Sequence, residues 1–197
     1  MYESLEKNHY CVIENFVPRE TCDSLLTVQR ERQDKFKFEN AKIGTFHQSQ
    51  QKEKIRNSQI SWIDFSKEKP NLRCYEDYLN ELKNDINKNF YLSLKRFESQ
   101  FATYPIGGFY KKHLDQFKTN THRQVTAILY LNDVFNGGQL IIYDKDDKQK
   151  IAQTIQPKKG TLAIFFSKTV YHEVLPCLEK RHSITTWFRD DLEPFLH

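Results

Sequence analysis

Apolar positions in the first ninety residues fall mostly into helical spacing, interrupted by one short extended run. Tyr10-Cys-Val-Ile13 reads as a strand. Behind it the chain turns helical near Pro18, with Cys22, Leu25, Leu26 and Gln29 at threes and fours. A longer amphipathic helix is predicted from Pro70-Asn71, where Leu72, Tyr75, Leu79, Leu82, Ile86 and Phe90 recur among Glu, Lys, Asp and Asn. That stripe is expected to pack on a core. Residues 36–65 look strand-like apart from the polar stretch His47-Gln-Ser-Gln-Gln-Lys-Glu-Lys54, which reads as a mobile hairpin loop. From Ser93 onward the period shortens. Aromatic and β-branched segments alternate with the turn signals Tyr104-Pro-Ile-Gly-Gly108, Asn136-Gly-Gly138, Asp144-Lys-Asp-Asp147 and Pro157-Lys-Lys-Gly160. Strands at intervals of roughly 8–12 residues predict a sandwich, barrel or jelly roll. The expected whole is one domain over residues 1–197, mainly β with supporting α-helices: helical support over about 1–92 and a β core over about 93–190.

Composition narrows this picture. The 197 residues include 15 Phe, 10 Tyr and 2 Trp, too much aromatic material for a disordered chain. The longest apolar runs, such as Thr161-Leu-Ala-Ile-Phe-Phe166, are too short to cross a bilayer, and Met1-Tyr-Glu-Ser-Leu-Glu-Lys7 has no apolar signal core. A soluble, cytoplasmic protein with no membrane partner is expected. The net charge of +4 is scattered over pairs such as Lys111-Lys112 and Lys180-Arg181, so no nucleic-acid partner is expected. Cys11, Cys22, Cys74 and Cys177 form no CxxC spacing and read as reduced thiols.

Candidate chemistry gathers in the β-rich half. His113-Leu-Asp115 puts an imidazole and a carboxylate at i and i+2, on one face of an extended segment and roughly 6–7 Å apart at Cα. His172, after the run Leu162–Phe166, supplies a third donor. Two histidines and one carboxylate on one face of a metal leave three positions open, the arrangement of non-haem Fe(II) oxygenases. In Arg181-His-Ser-Ile-Thr-Thr-Trp187, an extended chain turns Arg181, Ser183 and Thr185 the same way. A guanidinium beside a hydroxyl clamps a carboxylate, because Arg matches carboxylate geometry bidentately. His182, alternating with Arg181 and Ser183, should face away. His9, His47, His122 and His197 read as structural or solvent-exposed.

Taken together, His113-x-Asp115, Ile128-Leu-Tyr-Leu-Asn132, Gly137-Gly138, Pro157-Lys-Lys-Gly160, His172-Glu-Val-Leu-Pro176 and Arg181-x-Ser183 resemble the prolyl-4-hydroxylase superfamily of 2-oxoglutarate oxygenases. Ala41-Lys-Ile-Gly44 and Lys54-Ile-Arg-Asn-Ser-Gln-Ile-Ser-Trp62 are similar to its intracellular hypoxia-type branch, with Asn57-Ser58 where Gly-Asp is usual. The resemblance covers roughly residues 5–190. It implies a double-stranded β-helix (jelly-roll) core with N-terminal helices on one face. It further implies Fe(2+) held by the catalytic triad His113, Asp115 and His172, with 2-oxoglutarate and O2 as cosubstrates and ascorbate in support. Arg181 and Tyr130 would bind the distal carboxylate of 2-oxoglutarate, Tyr104 would be a pocket tyrosine near the metal, and Thr185, Leu140 and Trp187 would line the cosubstrate pocket. Arg123, Arg56 and Trp62 would form the substrate rim, under a loop at 46–60 and beside Phe188-Arg-Asp-Asp191. The implied partner is a protein with a proline in a flexible segment, met by a monomeric enzyme. Three other readings remain open: an oxygenase of another residue or small molecule, a cupin-like metal protein, and a binding module. The cupin would want His-x-His in place of His113-Leu-Asp115. A nucleobase-repair oxygenase would want a second Arg where Trp187 stands.

Overall fold

A computed structural model describes residues 1–35, 37–41, 55–67, 70–116 and 121–192. The expected hairpin at His47–Lys54, and with it most of the 46–60 loop, lies outside those residues. Helix α1 (Tyr2–Asn8) leads into β1 (Tyr10–Ile13), α2 (Arg19–Asp34), β2 (Glu39–Asn40) and β3 (Gln59–Ile63). A 3-10 turn at Phe65–Lys67 precedes α3 (Pro70–Phe90). Then come β4 (Arg96–Tyr104), β5 (Tyr110–His113), β6 (Arg123–Tyr130), β7 (Leu140–Tyr143), β8 (Ile151–Ile155), β9 (Leu162–Phe166), β10 (His172–Val174) and β11 (Arg181–Arg189).

The strands form two antiparallel sheets. The larger runs β1-β9-β6-β11-β4-β3-β2, and the smaller β5-β10-β7-β8. This is the jelly roll expected, widened by strands from the N-terminal part, since β1 extends one side and β3 the other. Alternation along the strands assigns each face of the large sheet its own core. On one face, Phe101, Val125, Ala127, Leu129, Leu162, Ile164, Ile184 and Phe188 pack with Cys22 and Leu25 of α2 and Leu72, Tyr75, Leu79 and Ile86 of α3. The helical stripe of α3 therefore finds its partner in the sheet, and each such fully buried Leu contributes roughly 1.5–3 kcal/mol. On the other face, Ala102, Tyr104, Ile128, Tyr130 and Phe165 meet Leu140, Ile142, Ile155 and Val174 of the small sheet. The candidate chemistry lies between the sheets.

Two local readings change. Pro18 sits just before the first helical turn of α2, at the N-cap. The N-terminal residues before Tyr10, left without an element by periodicity, form α1, which buries only Leu5 and ends on His9 in the left-handed region at φ 66°.

Candidate active site

His113 closes β5, and His172 opens β10 directly opposite it in the ladder. Asp115 arrives from the bend after β5, which ends at His113, so the pair does not share a strand as its spacing predicted. The three nonetheless converge, with one ligand atom from each within 4.8 Å of the others. Asp115 Oδ1 is 3.4 Å from His113 Nε2, and Oδ2 is 3.6 Å from His172 Nε2.

Each imidazole is fixed by its other nitrogen. His113 Nδ1 lies 2.7 Å from the Lys111 carbonyl and His172 Nδ1 3.2 Å from that of Val170. A carbonyl only accepts, so both Nδ1 atoms donate, and both rings turn Nε2 toward the carboxylate as the nitrogen available to a metal. Burial, then the neighbouring His113, lowers His172 to about 4, leaving the ring neutral at pH 7. Burial also opposes the charge on Asp115, but the His172 and His113 rings hold its carboxyl below the usual carboxylate range. An ionised carboxylate and neutral imidazoles are the forms that bind a metal.

Sequence reasoning missed two supports of this triad. Thr126 donates to Asp115 Oδ2 at 2.9 Å, and Ser167 Oγ lies 2.8 Å behind the same hydroxyl. Thr126 shares the alternation of Ile128 and Tyr130, which could have placed it on the interior face. Tyr110 stacks on His113, with ring centroids 3.5 Å apart and planes at 20°. No period-2 reading puts residues 110 and 113 on one face. They meet because Tyr110–His113 is paired with the shorter span His172–Val174, and the extra residue bulges out.

The interior face of the large sheet continues the site as cross-strand rungs. Phe165, Thr126, Trp187 and Glu98 form one, and its Phe165 ring lies 4.5 Å from that of His172. Ala163, Ile128, Thr185, Gln100 and Trp62 form the next. Tyr130, Ser183 and Ala102 follow, and then Arg181 opposite Tyr104. Arg181 is 1% exposed. Its Cζ lies 4.8 Å from the Tyr104 ring centroid and 5.0 Å from that of Tyr130. Tyr104 thus stands beside the guanidinium at the far end of the ladder from the triad. Arg181 Nε and Nη2, Tyr130 Oη and Ser183 Oγ are all buried without a protein partner. An unpaired buried guanidinium costs several kcal/mol, so this cluster is built for an anion. The sequence supplies its backing: Gly138 has φ +66°, and a Cβ there would come within 2.9 Å of Cys177 Sγ and 3.4 Å of Arg181 Cδ. Leu140, fully buried in β7, faces these rungs. A ferrous ion fits the triad's donor set. The unpartnered polar atoms of Arg181, Tyr130 and Ser183 suit one carboxylate of a dicarboxylate such as 2-oxoglutarate.

The remaining predicted residues fall around the triad end. Arg123 is 8% exposed, and its Nε and Nη2 each lie 2.7 Å from Glu98 Oε1. Its guanidinium covers the Trp187 ring at 3.9 Å. Trp62 lies 5.9 Å from Trp187 between ring centroids. Arg56 covers Tyr110 at 4.6 Å and donates from Nε to Ser58 Oγ. Its segment is laid along β5, since Asn57 N donates to the Phe109 carbonyl and Lys111 N to that of Ile55. His182 turns from the site toward Thr103 Oγ1, as its alternation predicts, and His122 meets Asp190.

Comparison with known proteins agrees with this geometry. A family model described as the 2OG-Fe(II) oxygenase superfamily matches residues 99–189. Egl nine homolog 1 of mouse is 28% identical over 94% of this chain and 48% of its own length, and the human protein 29% over 94% and 45%. The chain therefore spans about half the length of these curated relatives. The structure of a prolyl hydroxylase from Trichoplax adhaerens, in complex with a hypoxia-inducible-factor peptide fragment, superposes with a TM-score of 0.85. It is 25% identical, with 96% of this chain and 87% of that one covered. A Pseudomonas putida prolyl-4-hydroxylase structure gives a TM-score of 0.84 at 33% identity, covering 97% of each chain. Identity at that level, sustained from end to end, joins the family match across both sheets in making this chain a member of the 2OG-Fe(II) oxygenase superfamily.

Proposed function

We propose that this protein hydroxylates a prolyl residue of a protein target at C4, consuming O2 and 2-oxoglutarate and releasing succinate and CO2. One observation carries the reading: the 33% identity to a prolyl-4-hydroxylase over 97% of both chains. The Trichoplax relative, holding a peptide fragment, supports a polypeptide as the target.

His113, Asp115 and His172 would hold Fe(II), and Arg181, Tyr130 and Ser183 would receive the distal carboxylate of 2-oxoglutarate. Once bound, iron and cosubstrate supply the oxidising chemistry; the protein supplies orientation and a dry site. Thr126 fixes the Asp115 carboxylate, and the two backbone-bound Nδ1 atoms fix the rings. Arg181 sets how deep the dicarboxylate sits, and with it which end faces the triad. Phe165, Ile128 and Trp187 keep water from the space between. Tyr104, Thr185 and Leu140 complete the cosubstrate wall. Arg56, Trp62 and Arg123 border the way in, and a proline in a flexible segment suits it because little order must be broken on entry. Ascorbate would serve as the reductant that keeps iron ferrous. The free thiols of Cys11, Cys22 and Cys177 suit a reducing cytoplasm, and the enzyme would act there as a monomeric single domain.

The test is mass spectrometry of a proline-containing peptide library incubated with enzyme, Fe(II), 2-oxoglutarate and O2. A gain of one oxygen localised to C4 of proline is the expected result. Oxygen gained only on another residue would overturn the prolyl assignment while leaving the oxygenase.

A further inference from the structure

Beyond the triad and the Arg181 cluster, the interior face holds one more concentration of buried charge. Glu98 belongs to the rung of Thr126 and Trp187, two strands from the residue that steadies Asp115. Glu98 is 7% exposed, and its carboxylate faces two arginines. Oε1 accepts from Arg123 Nε and Nη2, at 2.7 Å each, and lies 3.2 Å from Arg189 Nη1. Arg189 in turn binds Asp191 through Nε and Nη2, and Arg96 reaches the same carboxylate. Oε2 of Glu98 is buried without a protein partner, so the carboxylate spends both close contacts to Arg123 through one oxygen.

Arg123 joins this arrangement to the rim proposed above for target entry. Its guanidinium lies over Trp187, with Cζ 3.9 Å from the ring centroid. A long side chain at the end of a strand has several rotamers, and stacking on indole selects among them only weakly, by roughly 0.5–2 kcal/mol. Two charge-assisted hydrogen bonds to a buried carboxylate select far more strongly. Glu98 is thus the stronger of the two holds that keep Arg123 over Trp187.

We propose that Glu98 is a positioning residue for target entry: by holding Arg123 on Trp187 it sets the wall against which the target polypeptide lies. This deepens the prolyl-hydroxylase reading and rests on it for the identity of the target. No contact between Glu98 and the metal, cosubstrate or target is required.

Two measurements test it, one of which needs no target. In a Trp62→Phe background Trp187 is the single tryptophan. There Glu98→Gln, which keeps the shape and loses the charge, should free the Trp187 ring face and raise its acrylamide quenching constant by about twofold. Arg123→Gln should do the same, and the double variant no more. With a peptide that the wild type hydroxylates, Glu98→Gln should raise the target KM by about tenfold, the worth of one charged hydrogen bond. The KM for 2-oxoglutarate should move far less. In the Arg123→Gln background, Glu98→Gln should add nothing. Unchanged Trp187 quenching, additive effects in the two variants, or parallel rises in both KM values would each overturn the proposal. If no peptide is hydroxylated, the target assignment fails, and the quenching arm still decides whether Glu98 holds Arg123.

Discussion

At the residue scale the site depends on a few atoms whose loss has separable signatures. On the metal site proposed above, Asp115→Ala and His172→Ala each remove a donor, and conversion of 2-oxoglutarate to succinate should vanish in both; turnover persisting in either variant would rule the triad out as the metal site. In the same proposal Arg181→Ala takes away the carboxylate anchor and leaves the donors, so the 2-oxoglutarate KM should rise by about a hundredfold, the scale of a lost buried charge pair. Fe(II) affinity measured without cosubstrate should stay near wild type. Thr126→Val keeps the shape but takes the hydroxyl from Asp115 Oδ2, and metal affinity by calorimetry should fall about tenfold. His113, Asp115, His172 and Arg181 could be singled out in the sequence because their motifs together resemble those of the oxygenase family, each being weak alone, and the fold does bring the first three together. Thr126 and Glu98 were not, because Thr on a strand is commonplace and the value of Glu98 depends on an arginine 25 positions away.

Periodicity read the elements well where the pattern was long. The six apolar positions of α3 marked that helix from end to end, and its burial against the large sheet follows from the same stripe. Leu79→Ala should therefore cost about 3 kcal/mol in chemical denaturation, through lost transfer energy and a residual cavity. A loss under 1 kcal/mol would mean that the helix–sheet core collapses around the gap. α1 escaped notice because a seven-residue helix burying only Leu5 has no period to detect. The bulge that stacks Tyr110 on His113 escaped for another reason. A bulge is a mismatch between two strands, and a single strand's sequence carries no trace of its partner's count.

Across the whole molecule, two buried histidines tie stability to pH. Burial, then Arg30 and Lys180, lowers His182 to about 4, and His172 is lowered to the same value. Between about 6.5 and 4 the unfolded chain binds protons at both rings and the folded chain does not, so stability falls as pH drops through that window. Each ring contributes on the order of 3 kcal/mol over it. Metal-free protein titrated by denaturation should show this slope, and His182→Gln should flatten it by about half, while an unchanged slope would show that His182 does not carry it. The order of strands in the two sheets lay beyond sequence reading, since β1 pairs with β9 and β3 with β4 across long stretches of chain. Yet that order is what brings a histidine after residue 170 opposite one before 115.

The segment at Ile55–Asn57 has a further effect through its bonds to β5. Being first in the small sheet, β5 would otherwise present open backbone groups to the next molecule. The bond from Asn57 N to the Phe109 carbonyl, that from Lys111 N to the Ile55 carbonyl, and the Arg56–Tyr110 bridge occupy that rim from within the same chain. The strand carrying His113 is thereby shielded from intermolecular strand addition. In aggregation, the margin that carries His113 would then be among the last parts of the small sheet to be captured, well after the exposed β8 side.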